Sequence, residues 1–392
     1  MSANAGPDII EDGIVFYYDT GNTIKSYIGE PTTNLVGTIA THYGGNVSTS
    51  YANGQYQTNA IVINGTDSSV PSGNYSRFNG TTADTNSQTY WTIQGNAVVN
   101  EANQTVSFSV YLKGNGTCHL ATYNDHSGYQ VGPDITLTDT WTKYSITKTI
   151  GTFTDYHWVA VRGIITSTDV FISSAQWERK SHATQYTPSS RSATQGLLDM
   201  TRTSTINITN ASFDNNAQIE FDGTNDYTDS GYDLSWNNTN SVSVEFMVKP
   251  YTVSGGNYGI IGKEYPNWEW AFYQSSTTLN LVYWDYGGGH SNGMDFSVNI
   301  FPTANTWYHV IYTWDTTTSI FYVNGTAAGS RVAVDPSINQ NRSNNVMIGG
   351  HTYVWSDSYF NGKLDLVKFY NKALTASEVR TNFNALRTRF GI

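Results

Sequence analysis

Residues able to do chemistry are sparse and scattered in this chain. A retaining glycoside hydrolase needs two carboxyl groups about 5 Å apart. On a strand that means carboxylates at alternate positions, and no Glu-x-Asp-x-Glu run occurs. Glu269, Asp285 and Asp365 each stand alone, and the expectation for each is a solvated carboxylate. His-Glu-x-x-His, Gly-x-Ser-x-Gly and phosphate-loop patterns are absent, and the eight histidines show no ligand spacing. The reading is of a protein that is not an enzyme.

What remains is binding chemistry carried by aromatic rings. Burying a Trp removes about 150 to 250 Å² from water, so most of the 11 tryptophans belong in cores. Trp141, Trp307 and Trp314 flank apolar alternation and read as packing residues. Tyr265-Pro266-Asn267-Trp268-Glu269-Trp270 and Tyr283-Trp284-Asp285-Tyr286-Gly287 are different, because rings mix there with Gly, Asn and Asp. A sugar ring could stack on Trp268, Trp270 or Tyr286 while Asp285 and Asn267 take hydroxyls. Tyr353 and Trp355 form a second candidate, and Tyr90, Trp91 and Tyr129 a third. The alternative is that these loops pack against each other or against a neighbouring subunit.

Elements made largely of strands must position such loops. Over 392 residues, charged residues are 13% and aromatics 14%, with 35 glycines and abundant Thr, Ser and Asn. That mixture suits short strands and tight turns and disfavours long helices. The single cysteine, Cys118, excludes an internal disulfide and Cys-based zinc clusters. A net charge of -11 without Lys/Arg clusters argues against nucleic acid. No run of about 18 apolar residues occurs, so membrane insertion is not expected, and the N-terminus lacks a signal-peptide pattern.

In chain order, Asp12-Gly13-Ile14-Val15-Phe16-Tyr17-Tyr18-Asp19 reads as a buried strand with no nearby partner. Pro31 closes the loop after it. From Thr32 to about Pro188 the pattern is all-β, with Val106, Phe108, Val110 and Leu112 alternating on one face of a strand. Lys180 to Ser192 is polar and reads as a linker or domain exit. A second β module follows, with Val242, Val244, Phe246 and Val248 inward, and Asn324-Gly325 after Ser319 to Val323 predicts a type I′ hairpin. Thr375-Ala376-Ser377-Glu378 fits a capping box, and Val379, Phe383 and Leu386 give the helix after it an apolar stripe.

Several motifs carry a resemblance: Ile219-Glu220-Phe221-Asp222-Gly223-Thr224-Asn225-Asp226-Tyr227, Thr306-Trp307-Tyr308-His309-Val310, Phe321-Tyr322-Val323-Asn324-Gly325, and the run Phe360 to Glu378. Together they resemble laminin-G-like, or concanavalin A-like, lectin/glucanase jelly rolls. Phage virion members of that family begin with a strand similar to Gly13 to Asn22 and run on directly. Here the run-on waits until Gly196-Leu197-Leu198-Asp199-Met200. The intervening module, ending in Ser174-Ala175-Gln176-Trp177-Glu178 and Ala183 to Pro188, is similar to carbohydrate-binding-module jelly rolls of phage tail and fibre proteins.

The expected fold is therefore all-β: two antiparallel jelly-roll sandwiches, one inserted in the other, with a short C-terminal helix. Residues 8-30 plus 193-392 form the laminin-G-like sandwich and residues 31-190 the insertion. The resemblance also implies calcium at a rim, for which Asp222, Asp226, Asp229 and Asp233 are candidates, although their spacing is not that of an EF-hand and Asp in such segments also serves turns. No cofactor beyond that is implied. The expected role is a bacteriophage virion structural protein, fibre or capsid decoration, displaying lectin-like surfaces to host glycans. Its partners would be other virion proteins and further copies of itself, and it would be made in the host cytoplasm. A polysaccharide hydrolase and a purely architectural subunit bridge are the alternatives.

Overall fold

A computed structural model describes residues 8–35, 60–80, 89–95, 103–124, 128–151, 157–164, 167–214, 216–236, 239–263, 269–283, 295–332, 343–350 and 359–392. The fold is all-β, built from antiparallel sheets, and the one helix among the described residues is Ala376–Phe390. The chain divides into two compact units: Met1–Glu30 with Ala193–Ile392, and Pro31–Ser192.

The first unit pairs an eight-stranded with a seven-stranded sheet. Inward residues of the Val242–Pro250 strand, such as Val244 and Phe246, meet Phe272 and Ile261 of the opposing sheet in one core. The opening strand, Ile14–Asp19, pairs antiparallel with Asn361–Tyr370, 347 to 356 positions downstream in sequence: Phe16 lies opposite Phe369 and Asp19 opposite Leu366. Phe16 is fully buried and stacks on Phe369 at 4.8 Å. Its burial contributes about 1.5–3 kcal/mol.

Strand Ile219–Asp222 takes residues 361 to 363 of that same partner strand, so two distant stretches of chain share its edge end to end. Asp365 sits between them at a β-bulge. Its carbonyl accepts from Thr20 N–H, and its carboxylate accepts from Ile219 N–H at 3.1 Å. The returning chain is pinned beside the opening strand by Asp199, whose buried carboxylate collects backbone N–H donors from Tyr17, Thr201, Thr203 and Ser204.

Locally encoded features appear where the pattern places them. Asn324 and Gly325 both have positive φ, 48° and 74°, joining Thr318–Val323 to Thr326–Val332 as a type I′ turn requires. The Gly325 position also presses on the helix, where a Cβ would stand 2.8 Å from the Phe383 ring. The capping box is present in both directions between Thr375 and Glu378, and Val379 and Leu386 are buried.

The second unit holds a five-stranded and a four-stranded sheet around a core that includes Val106, Phe108, Val110 and Leu112. Lys180 to Ser192 is not a free linker. Thr184 and Thr187 are buried and close the unit's two ends against each other. Glu178, fully buried, accepts from Gln176 Nε2, Thr184 N–H, Thr184 Oγ1 and Thr32 Oγ1 at 2.7–2.9 Å. Asn34 adds bonds to the carbonyls of Ala175 and Thr187. The Ser174–Glu178 motif is thus a structural clasp between the incoming and outgoing segments.

Candidate functional site

Six of the residues expected to bind sugar, Asn267, Trp268, Asp285, Tyr286, Tyr353 and Trp355, lie outside the described residues, as do the side chains of Tyr90, Trp91 and Tyr129. The seventh, Trp270, is a core residue. It is fully buried, its ring lies 4.4 Å from Trp236, and its indole N–H donates to the Leu234 carbonyl at 2.9 Å. Strand alternation turns Trp270 inward, so no sugar face is open on it. Trp314 is likewise fully buried and Trp307 packs edge-on against Phe390, both as packing residues.

Two of the three isolated carboxylates, Glu269 and Asp365, are not solvated, and the third, Asp285, lies outside the described residues. Glu269 is fully buried beside Lys263, which donates to it at 2.8 Å, and Ser235 Oγ donates to the same oxygen. Asp365 is 1% exposed, and burial pushes its pKa up to about 8 against the opposing pull of Lys363 and Arg389.

The aspartates proposed for calcium serve turns. Asp222 accepts from Thr224 N–H, Asp226 from Asp222 N–H, and Asp229 from Gly231 N–H, at 2.7–2.9 Å. Asp233 pairs with Lys263. Burial raises the Asp226 pKa. Among the described residues no group of His, Cys, Asp or Glu is arranged to hold a metal ion.

A charged centre that pattern reading missed lies beneath the C-terminal helix. The residues between the inward positions of the Val242–Pro250 strand should face water, yet Glu245 is fully buried. One carboxylate oxygen receives His309 Nε2 at 3.0 Å and Lys368 Nζ at 3.1 Å; the other receives Tyr370 OH and Asn382 Nδ2, both at 2.7 Å. Burial alone would raise the Glu245 pKa. The Lys368 ammonium and the His309 and Tyr370 bonds outweigh it and hold the carboxyl at about 2. Asn382 belongs to the helix, and its Oδ1 accepts from Ile10 N–H, so the same network docks helix and N-terminal segment onto the sheet. With four donors on two oxygens, Glu245 has no acceptor capacity left for a substrate proton.

The second unit presents the opposite arrangement on the outward face of its five-stranded sheet. Phe171 of strand Asp169–Glu178 lies directly between Arg77 and Lys113 of its two neighbours. Tyr75 and Trp141 lean over the same spot, so that three rings sit with centroids 5.4–6.4 Å apart. Tyr75 can lie flat because its cross-strand partner is Gly65; a Cβ there would come within 2.4 Å of the ring. The Lys113 ammonium stands 4.7 Å from the Trp141 centroid and 5.2 Å from that of Phe171, within cation–π range.

Two carboxylates fix these groups. Asp169 takes a bidentate pair from Arg77 at 2.8 and 2.7 Å. Asp67 opens the turn between Ala60–Thr66 and Asn74–Gly80, where Ser69 N–H caps one oxygen; the other accepts the Trp141 indole N–H at 2.8 Å and Lys113 at 3.3 Å. Bonds from Ser69 and Trp141 hold the Asp67 pKa well below the usual carboxylate range. The reading of Trp141 as a packing residue is corrected here: it is part-exposed and its N–H is aimed at a surface carboxylate. A Trp-Thr before a strand looks the same in sequence whether its ring turns in or out.

Residues 222–380 match the laminin-G-type family model of the Concanavalin A-like lectin/glucanases superfamily. No curated protein matches the chain. Among solved structures, the Botulinum Neurotoxin Type G Receptor Binding Domain is similar at 17% identity and TM-score 0.40, over 49% of each chain. The receptor binding domain of botulinum neurotoxin D is similar at 14% identity and TM-score 0.40, over 51% of this chain and 52% of that one. The serotype D ligand binding domain solved in complex with N-acetylneuraminic acid is similar at 14% identity and TM-score 0.37, over 49% of each chain. This chain spans about half the length of these structures.

Proposed function

We propose that this chain is a non-enzymatic bacteriophage virion protein, a fibre or capsid decoration, whose lectin-like modules bind host glycans. The observation that carries the non-catalytic half is how the sandwich containing the matched span uses its buried acids. Glu245 is saturated beneath the helix, Glu269 is bound to Lys263 and Ser235, and Asp199 gathers the returning chain. These groups hold elements together rather than face a substrate.

Binding is supported by the matched lectin/glucanase family and by the part-exposed rings of the second unit. The particle setting is supported by the resemblance of Gly13 to Asn22 and of Ser174 to Pro188 to segments of phage virion proteins. Assembly with other virion proteins and with further copies of the chain follows from that setting. A saccharide array probed with the full chain tests the reading: retention of one or more host surface saccharides is expected. Release of reducing sugar from those polysaccharides would overturn the non-enzymatic role, and immunogold microscopy of particles failing to find the chain would overturn the virion setting.

A further inference from the structure

We infer that the outward face built by Tyr75, Trp141 and Phe171 in the second unit is the saccharide site, and that it takes a single neutral pyranose at the end or branch of a glycan. The inference rests on the saccharide-binding reading above and adds the place and the class of sugar.

Three observations lead there. The first is geometry. The interplanar angles are 52° for Tyr75–Trp141, 55° for Tyr75–Phe171 and 87° for Trp141–Phe171, so no two rings are coplanar. A flat polymer surface needs a flat strip of rings; a corner of tilted rings holds one sugar, with a C–H face on one ring and an edge against another.

The second is access. The Arg77–Asp169 pair keeps 36% and 29% of its side-chain surface in water, and Lys113–Asp67 keeps 24% and 25%. These polar groups are held in fixed directions yet reachable, as hydroxyl recognition demands. Asp169, which takes only the two Arg77 bonds, accepts from sugar hydroxyls, while Arg77 and Lys113 donate to them; Asp67, filled by Ser69, Trp141 and Lys113, holds the ring and the lysine in place.

The third is charge. Each cation is already paired with its own carboxylate, so the patch has no unbalanced charge to attract a uronate or sialate. A net-neutral polyol fits it, and binding should depend little on salt.

The test uses the full chain and a panel of immobilised saccharides ending in glucose, galactose, mannose, N-acetylglucosamine, glucuronate or sialate. Trp141→Ala and, separately, Phe171→Ala are compared with the native chain, each first shown to keep its far-UV spectrum and unfolding midpoint. The expected result is retention of one neutral sugar end, weakened at least about tenfold in both variants and unchanged between about 50 and 500 mM salt. Binding within about twofold of native in both variants overturns the site while leaving the glycan-binding reading standing. Retention of acidic sugars alone, falling steeply with salt, overturns the neutral class. No retention of any saccharide by the native chain overturns the binding reading and this inference together.

Discussion

Two sheet faces in this molecule carry the same ingredients, a lysine among aromatic rings and carboxylates, and they have opposite fates. In the first unit, Lys368 stands 5.0 Å from the Tyr17 ring and bonds Glu245, with the helix over both. In the second, Lys113 stands among Trp141, Phe171 and Tyr75 and bonds Asp67, with water over both. The cover decides what the charges do. Under the helix the Glu245 carboxylate collects four donors and the network locks elements in place. In the open, the same groups keep accessible surface.

The comparison breaks most visibly if the cover is removed. Deleting residues 1–22 takes away the strand paired with Asn361–Tyr370, the Ile10 N–H bonded to Asn382, and the Asp19 carboxylate that pairs with Arg389. The first unit should lose its cooperative unfolding transition while the second retains one, which calorimetry would resolve. A first transition left at its native temperature would show that the opening strand is dispensable.

Glu245→Ala is the next largest. It leaves Lys368 and His309 buried without their carboxylate, and removing one partner of a buried pair costs about 3–5 kcal/mol. Urea unfolding should show that loss; a change under about 1 kcal/mol would mean that the helix does not seal the site.

Asp365→Asn has the opposite sign and a pH signature. Burial favours the neutral carboxyl in the folded chain, so between the ordinary carboxylate range and about pH 8 the fold holds a proton that the unfolded chain has released. Native stability should therefore fall as pH rises through that window. The amide keeps an oxygen for Ile219 N–H, so the variant should flatten the slope and gain on the order of a few kcal/mol at pH 8. Parallel pH profiles for the two chains would place the ionisation elsewhere.

The smallest effect belongs to the open face. Lys113→Met should change stability by only about 0–1 kcal/mol, because a part-exposed ion pair is weak. A loss as large as that of Glu245→Ala would mean the face is structural and would remove the contrast.

Much of the framework was legible because its causes are local. Alternation named Val244 and Phe246 as core, Asn324-Gly325 named the hairpin, and Thr375 with Glu378 named the helix start. The candidate site was less legible. Period-two alternation separates the two faces of a strand but says nothing about what lies over either one. Glu245 therefore gave no sign of its burial, and Asp365, whose bulge depends on two segments meeting at one edge, read as solvated. Trp270 read as a loop platform because its neighbours in sequence are loop-like, yet it begins a strand whose phase turns it inward onto Trp236.

By itself, then, the sequence determined the all-β character, the strand phases, the turn and the helix cap, since each depends on residues within a few positions. Only the tertiary structure decided which outward faces became interior. That choice follows from where the distant helix and the opening strand dock, and with it whether a charged aromatic cluster becomes a buried clasp, as at Glu245, or an open surface, as at Trp141.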